Sequence, residues 1–187
     1  MSEVRIAISG KSGCGNTTVS RLLAKKLDIK LINYTFHTIA DEQGVTFDQM
    51  CRMAESDDRW DRYLDAEQVR RAREQSCVLG SRLAIWFLEE ADLKVFLTAP
   101  AEVRARRIQQ REGGDLDSVL AETNERDRRD HARYLRLYNI DIDSYDFADL
   151  VVDTGRYRPN EIVDLIVKNL PAEWSDSVAA TDAENVR

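Results

Sequence analysis

The stretch Gly10–Thr18, with the sequence GKSGCGNTT, constrains the fold of this chain more than any other segment. An apolar strand pattern over Val4–Ser9 precedes it, and apolar residues at helical spacing follow it over Thr17–Leu27. A strand, a glycine-rich turn and a helix in this order are typical of a phosphate-binding loop, which ends in Gly-Lys followed by Ser or Thr. The segment fits this pattern, except that Asn16 stands at the lysine position.

The loop is predicted to hold phosphate groups mainly through its backbone. Glycines let the chain turn tightly around an anion, and successive N–H groups, with those of the helix start, favour negative charge. The residues predicted to form this site are Gly10, Lys11, Ser12, Gly13, Cys14, Gly15, Asn16, Thr17 and Thr18. Thr17 can offer its hydroxyl to Mg²⁺. Lys11, the only lysine in the first 24 residues, is hypothesised to replace part of the charge that Asn16 lacks. The alternative is a glycine-rich turn without a ligand.

With 187 residues, the chain is predicted to form one domain with a sizeable core, covering residues 1–171. Its net charge of −7 argues against nucleic-acid binding. No apolar run approaches the roughly 20 residues of a membrane span, and Met1–Arg5 leads directly into a strand, so no signal peptide is expected. Cys14, Cys51 and Cys77 are scattered, which indicates neither disulfides nor a zinc site and favours a cytoplasmic protein.

Short apolar runs alternate with longer amphipathic ones, which predicts an α/β fold: a five-stranded parallel sheet covered by helices on both faces, in three layers. The predicted strands are Val4–Ser9, Lys30–Ile32, Cys77–Leu79, Leu93–Leu97 and Leu150–Asp153. The predicted helices are Thr17–Leu27, Tyr34–Gln43, Phe47–Ala54, Trp60–Gln75, Leu83–Glu90, Ala101–Glu112, Leu116–Tyr138 and Asn160–Leu170. Because such sheets bind ligands beyond the carboxyl ends of their strands, the turns Gly80–Arg82 and Thr154–Arg156 should line the same crevice as the loop. The polar residues 172–187 are expected to form a frayed tail.

Arginine outnumbers lysine 21 to 6, and one group of arginines has a helical spacing. Arg126, Asp130 and Arg133 are spaced i, i+4, i+7 and therefore share one helix face, with Arg129 beside them. Since guanidinium groups bind phosphate oxygens in pairs, this face could grip phosphates and close over the site to exclude water. The alternative is a solvated helix with salt bridges, because seven acidic residues lie within Glu112–Asp130. That alternative is favoured for Arg104, Arg106 and Arg128.

Five segments carry a family resemblance: Gly10–Thr18, Trp60–Asp65, Val78–Trp86, Glu125–Asp130 and Ala148–Thr154. Through them the sequence resembles the cytidylate kinases, especially the short archaeal-type form, over nearly the whole chain. The loop of archaeal-type members also departs from Gly-Lys, and the segment ERDRRD is similar to the lid of the bacterial enzymes. The resemblance implies a P-loop NTPase-type fold with a helical acceptor-binding part at about residues 34–75 and an arginine-rich lid at about 104–138.

The resemblance also implies a reaction, namely transfer of the ATP γ-phosphate to CMP or dCMP with Mg²⁺, and a monomer acting on small molecules. It implies that Arg82 holds the acceptor phosphate and that Arg156 packs near the adenine. The lid residues Arg126, Asp130 and Arg133 should contact the acceptor or the transferred phosphoryl group. Further candidates to contact the acceptor are Arg129, Asp61 and Asp65.

Three departures from the family pattern bear on this expectation. His37 stands where an arginine for the acceptor phosphate is expected, and imidazole is shorter and mostly neutral at pH 7, so CMP binding could be weaker. Ser81 replaces a family glycine. The strand ending at Leu79 lacks an aspartate for the Mg²⁺ shell, which leaves phosphates, water and Thr17 as ligands. Two alternatives therefore stay open: a kinase for another small acceptor, and an ATP-binding regulatory module that lost most catalysis through Asn16.

Overall fold

A computed structural model describes residues 2–176 and residue 178 of the chain. Its strands are β1 (Arg5–Gly10), β2 (Lys30–Ile32), β3 (Cys77–Gly80), β4 (Leu93–Thr98) and β5 (Leu150–Asp153). Its helices are α1 (Asn16–Leu27), α2 (Phe36–Gln43), α3 (Phe47–Ser56), α4 (Arg59–Ala72), α5 (Ala84–Phe87), α6 (Ala101–Glu112), α7 (Leu116–Tyr138) and α8 (Pro159–Lys168). Every strand lies within one residue of its predicted bounds.

The strands form one parallel sheet in the order β2-β3-β1-β4-β5, which confirms the predicted α/β architecture. The central strand β1 is covered by helices on both faces, so its side chains are apolar without alternation: Ile6, Ala7 and Ile8 are all fully buried. Ile8 lies opposite Gly80 of β3 on one side and Val95 of β4 on the other. The loop after β1 and the turn after β3 therefore start at the same edge of the sheet.

Apolar clusters cover both faces of this sheet. On one face, residues such as Leu23 of α1 and Ile166 of α8 pack against β1. On the other face, Ile85 of α5 packs with Leu79 and Phe96. A smaller cluster joins α2 and α3 to the start of α4 and forms a helical part at the β2 edge. In the described part of the chain, no helix combines the length and the apolar character that a membrane crossing requires.

Predicted helix bounds shift by up to three residues elsewhere, as at α4, which ends at Ala72 and not Gln75, and two larger differences stand out. The predicted helix Leu83–Glu90 is a single turn, because the chain turns back after it and Asp92 donates from its N–H to the Arg5 carbonyl, which starts β4. The expected tail is partly ordered: residues 172–176 are helical, and Trp174 and Val178 are buried against the core. The buried indole ring of Trp174 supplies apolar contact, which the polar composition of this segment does not indicate. Residues 177 and 179–187 of the expected tail lie outside the described residues.

Candidate active site

Two glycines set the path of the loop between β1 and α1. Gly13 and Gly15 have φ angles of 80° and 92°, which side-chain-bearing residues rarely adopt. A Cβ atom on Gly13 would also lie 2.8 Å from Cβ of Arg104. Gly15 is the N-cap of α1, and no side chain caps this helix. The first N–H groups of α1 have no partner within the helix and are available to an anion.

Three carbonyl groups of the loop accept hydrogen bonds from side chains on the side of α6 and β5. These bonds run from Arg104 Nη1 to the Ser12 oxygen (3.1 Å), from Arg107 Nη1 to the Gly13 oxygen (3.2 Å) and from Thr154 Oγ1 to the Cys14 oxygen (2.9 Å). The loop carbonyls are thereby held by the protein, which leaves the positively polarised N–H groups for a phosphate. The loop therefore has N–H groups available for an anion even though Asn16 stands at the lysine position.

Arg104 joins three parts of the molecule. Besides the Ser12 carbonyl, its guanidinium donates to the Ala99 carbonyl (3.2 Å) and pairs with the Asp127 carboxylate of α7 (2.6 Å). The solvated setting expected for Arg104 is wrong, because α6 packs this residue against the loop and leaves it 4% exposed. Arg128 does form the expected surface pair, with Glu125. The buried pair therefore fixes the loop to the helix that carries the arginine face.

Asn16, at the position where the pattern has lysine, uses its whole amide inside the protein. Its Nδ2 donates to the carbonyl oxygens of Ile8 (3.1 Å) and Ser81 (3.2 Å), and its Oδ1 accepts from the Ser20 hydroxyl (3.0 Å). The close approach requires glycine at position 80, since a Cβ there would lie 2.9 Å from the Asn16 Oδ1. The amide ties the ends of β1 and β3 together, and any cation for the phosphates must come from another residue.

Lys11 lines the cleft and is the loop's own cation. Its Nζ lies 2.5 Å from Oδ1 of Asp143, in the segment between α7 and β5. Burial alone would raise the pKa of the Asp143 carboxyl, but the hydrogen bond from the Lys11 ammonium lowers it below the ordinary value. Both side chains keep some exposure, 28% for Lys11 and 51% for Asp143, so the Lys11 ammonium can leave the carboxylate for another anion.

The predicted arginine face meets Arg82 across the cleft. Asp130 lies 3.3 Å from a guanidinium nitrogen of Arg82 and 4.0 Å from one of Arg133. The carboxylate thus lies between two guanidinium groups, one from the turn after β3 and one from α7. Arg126, one turn before Asp130, has no carboxylate partner among the described residues and also lines the cleft. A phosphate entering here meets two oriented cations and one that is not committed to an ion pair.

Arg133 is anchored by Asp61, which does not line the cleft, and by Tyr134, which does. A guanidinium nitrogen lies 3.3 Å from the carboxylate of Asp61, which is only 5% exposed, and another donates to the Tyr134 hydroxyl at 3.1 Å. Burial raises the pKa of Asp61, an effect that Arg133 opposes. Burial likewise raises the pKa of Asp65 to about 6, although its carboxylate accepts a hydrogen bond from Tyr138 (2.6 Å) that lowers it. Asp61 and Asp65 are expected from the sequence to contact the acceptor. In the structure they do not line the cleft and lie behind the arginine face, where Asp61 pairs with Arg133 and Asp65 accepts from Tyr138.

Three other predicted site residues lie outside the cleft in this structure. The exposed ring of His37 stacks on Phe47, with centroids 3.7 Å apart and an angle of 11° between the rings. Arg129 is exposed on α7 and does not line the cleft. Arg156 is 78% exposed and pairs with Asp153 at 3.1 Å, while the next residue, Tyr157, reaches the cleft.

One cleft of about 820 Å³ joins the loop to the arginine face. The predicted residues that line it are Gly10, Lys11, Ser12, Gly13, Cys14, Gly15, Asn16, Thr17, Thr18, Arg82, Arg126, Asp130 and Arg133. Sequence reasoning missed Arg107 and Arg111, which line it from α6, and Gln68, which lines it from α4. Arg107 and Arg111 are four residues apart and so share a helix face, and this spacing is visible in the sequence.

The donor set at the loop fits a magnesium ion that arrives with a nucleotide. Thr17, exposed at the start of α1, offers one hydroxyl, and β3 ends in Leu79 and Gly80 without a carboxylate. Mg²⁺ in nucleotide sites keeps several waters and takes phosphate oxygens with few protein ligands. Thr17 would hold the ion, and the ion would neutralise charge on the phosphates.

Comparisons with known proteins agree with this architecture. Residues 5–156 match the family described as the cytidylate kinase-like family. The chain is similar to "Cytidylate kinase 2" of Borreliella burgdorferi, with 49% identity over 87% of this chain and 93% of the relative. It is also similar to the "Cytidylate kinase" of Archaeoglobus fulgidus, with 39% identity over 88% of this chain and 93% of that protein.

Solved structures share the fold at low identity. Shikimate kinase from Bacteroides thetaiotaomicron superimposes with a TM-score of 0.60 and 19% identity, covering 88% of this chain and 96% of that one. Deoxyadenosine kinase from M. mycoides with bound dATP gives a TM-score of 0.53 and 16% identity, covering 88% and 98%. These likenesses show the fold.

Proposed function

Because the chain belongs to the cytidylate kinase-like family, we propose that it is an ATP-dependent kinase that transfers the γ-phosphate of ATP to CMP or dCMP. The product is the nucleoside diphosphate. The observation that carries this proposal is the single cleft in which an anion-binding loop faces Arg82, Asp130 and Arg133. A passive ATP binder has little use for a second set of oriented cations opposite the loop.

The nucleophile in this reaction is an oxygen of the acceptor's own phosphate. A phosphate monoester has a second pKa near 6, so most of it is doubly ionised at neutral pH and needs no side chain to remove a proton. The protein then contributes position and charge, which suits a transition state with charge spread over the equatorial oxygens of the transferred group. Among the described residues, the cleft offers cations for this task and no Ser-His-Asp arrangement.

The roles follow from where each group lies. The loop N–H groups and Lys11 hold the ATP phosphates, and the Lys11 ammonium leaves Asp143 for them. Arg82 and Arg133, oriented by Asp130, hold the acceptor phosphate. Arg126 stabilises the transferred phosphoryl group, and Thr17 would hold a Mg²⁺ ion that would offset the negative charge of the ATP phosphates.

The organisation expected from the sequence completes the proposal. Residues 1–171 act as one P-loop kinase domain, the helical part at about 34–75 takes the acceptor, and the lid at about 104–138 closes over both substrates. Because residues 172–176 are helical and Trp174 packs against the core, we propose to include them in this domain. A monomeric state and a cytoplasmic location stay predictions.

The test is ADP release from Mg-ATP with CMP, dCMP, UMP, AMP or GMP as acceptor, beside a reaction without acceptor. We expect release that depends on CMP or dCMP. Tight ATP binding without acceptor-dependent ADP from any of them would contradict the proposal and indicate a regulatory module. Release that depends on another nucleotide instead would support the alternative of a kinase for another acceptor.

A further inference from the structure

Gln68 is a buried polar residue in the wall of the cleft for which the mechanism above has no use. It lies on α4, is 9% exposed and lines the cleft. Its Nε2 donates to the Tyr34 carbonyl at 2.8 Å, just beyond β2. Glutamine is rarely buried, and a buried amide needs partners for both its donor and its acceptor.

The acceptor atom of this amide has no hydrogen-bond partner among the described residues. Within residues 2–176, the Tyr34 bond is the hydrogen bond that the side chain of Gln68 makes. Among the described side chains, Nε of Arg133 is the one nitrogen or oxygen atom that is buried from solvent without a hydrogen-bond partner. Oε1 of Gln68 therefore keeps some solvent access. Because Gln68 lines the cleft, its Oε1 atom is available to a hydrogen-bond donor that enters the cleft.

The amide orientation is fixed by the same contact. Exchanging the amide nitrogen and oxygen would place Oε1 against the Tyr34 carbonyl, and two acceptors repel. Gln68 therefore presents a hydrogen-bond acceptor, and not a donor, to the cleft. Leu64, four residues earlier on the same helix face, and Phe36 line the cleft beside it and provide apolar surface.

We propose that Oε1 of Gln68 accepts a hydrogen bond from the exocyclic amine of cytosine and so makes the enzyme prefer CMP to UMP. The inference rests on the proposed function. Uracil carries a carbonyl oxygen where cytosine carries the amine, and that oxygen would face Oε1 without a proton between them. A site that hydrogen-bonds one substrate group discriminates strongly against an analogue that leaves its polar atoms unpaired.

The experiment compares kcat/KM for CMP and for UMP in the wild type and in Gln68→Met. Methionine keeps the length of the side chain and removes the acceptor. We expect the ratio of kcat/KM for CMP to kcat/KM for UMP to fall by about tenfold. The variant loses one hydrogen bond between neutral groups to cytosine, and it no longer repels the uracil oxygen. CMP should be used less well and UMP better, and a purely structural role would not move the two in opposite directions.

Two further variants keep the inference falsifiable. Gln68→Glu retains an acceptor for the amine but loses the donor to the Tyr34 carbonyl, so it should lower activity with both nucleotides and still keep the preference for CMP. Gln43→Met, at the exposed end of α2 and outside the cleft, should leave the ratio unchanged. An unchanged ratio in Gln68→Met would overturn the inference while CMP activity of the wild type stands. A wild type that phosphorylates neither nucleotide would overturn the proposed function itself.

Discussion

Replacing Arg104 by methionine tests whether the phosphate-binding loop depends on a buried ion pair. The substitution removes the hydrogen bonds to the carbonyl oxygens of Ala99 and Ser12 and the pair with Asp127. It leaves the Asp127 carboxylate, whose side chain is only 14% exposed, without its cation. Methionine has a similar length and fills much of the space, so loss of packing is a minor part of the effect.

The expected cost follows from this geometry. Removing one partner of a buried pair costs about 3–5 kcal/mol, because a charge is left uncompensated in a poorly solvated place. For a chain of this length that corresponds to a fall in Tm of about 10 °C. Arg128→Met, which breaks the exposed pair with Glu125, should change the free energy of unfolding by less than about 1 kcal/mol.

Urea unfolding followed by tryptophan fluorescence measures these free energies. The double variant Arg104→Met/Asp127→Leu should recover most of the loss, since apolar replacement of both partners is often close to neutral. A single variant that costs less than about 1 kcal/mol would refute the reasoning. A double variant that costs as much as the single one would show that the loss came from packing and not from the unpaired carboxylate.

Three further predictions concern single residues. Arg126→Ala should lower kcat about a hundredfold, as for one lost transition-state donor, whereas Arg128→Ala on the solvent side should not; equal rates would remove Arg126 from the mechanism. Because burial raises the folded-state pKa of Asp65 to about 6, above its ordinary value, its charge destabilises the fold as pH rises. Asp65→Asn, which can still accept from Tyr138, should therefore stabilise the protein by about 3 kcal/mol at pH 8 and only slightly at pH 4, and a pH-independent difference in urea unfolding would contradict this. Asn16→Ala should cost about 2 kcal/mol through lost hydrogen bonds and raise KM for CMP, and unchanged stability would show that the amide is dispensable.

Much of the fold was predictable because its signals are local. The alternation of apolar runs and amphipathic segments gave all five strands, and the loop Gly10–Thr18 placed the site at their carboxyl ends. The spacing of Arg126, Asp130 and Arg133 gave a helix face that does line the cleft. Each of these predictions depends on residues close together in the chain.

The site details that sequence reasoning missed depend on distant contacts. Asn16 reaches a carbonyl 65 residues away, and Arg104 reaches the loop across 92 residues. Both of these hydrogen bonds are accepted by backbone carbonyl groups, so no residue type in the sequence indicates them. Gln68 was missed for the same reason, since its anchor is the backbone carbonyl of Tyr34.

Position in a motif also did not determine where a side chain lies. His37 stands at the place of a family arginine, but its ring stacks on Phe47 outside the cleft. Trp174 lies in a polar segment without periodicity, and its burial could not be read from its neighbours. In both cases the packing partner lies on another element and decides the outcome.

The most direct test of the account follows the γ-phosphate itself. The protein is incubated with CMP, Mg²⁺ and ATP labelled in its γ-phosphate, and the products are separated by anion-exchange chromatography. The account predicts that the label appears in CDP, and that omitting CMP leaves it in ATP. Label released as inorganic phosphate at the same rate with and without CMP, or label that stays in ATP in both reactions, would contradict it.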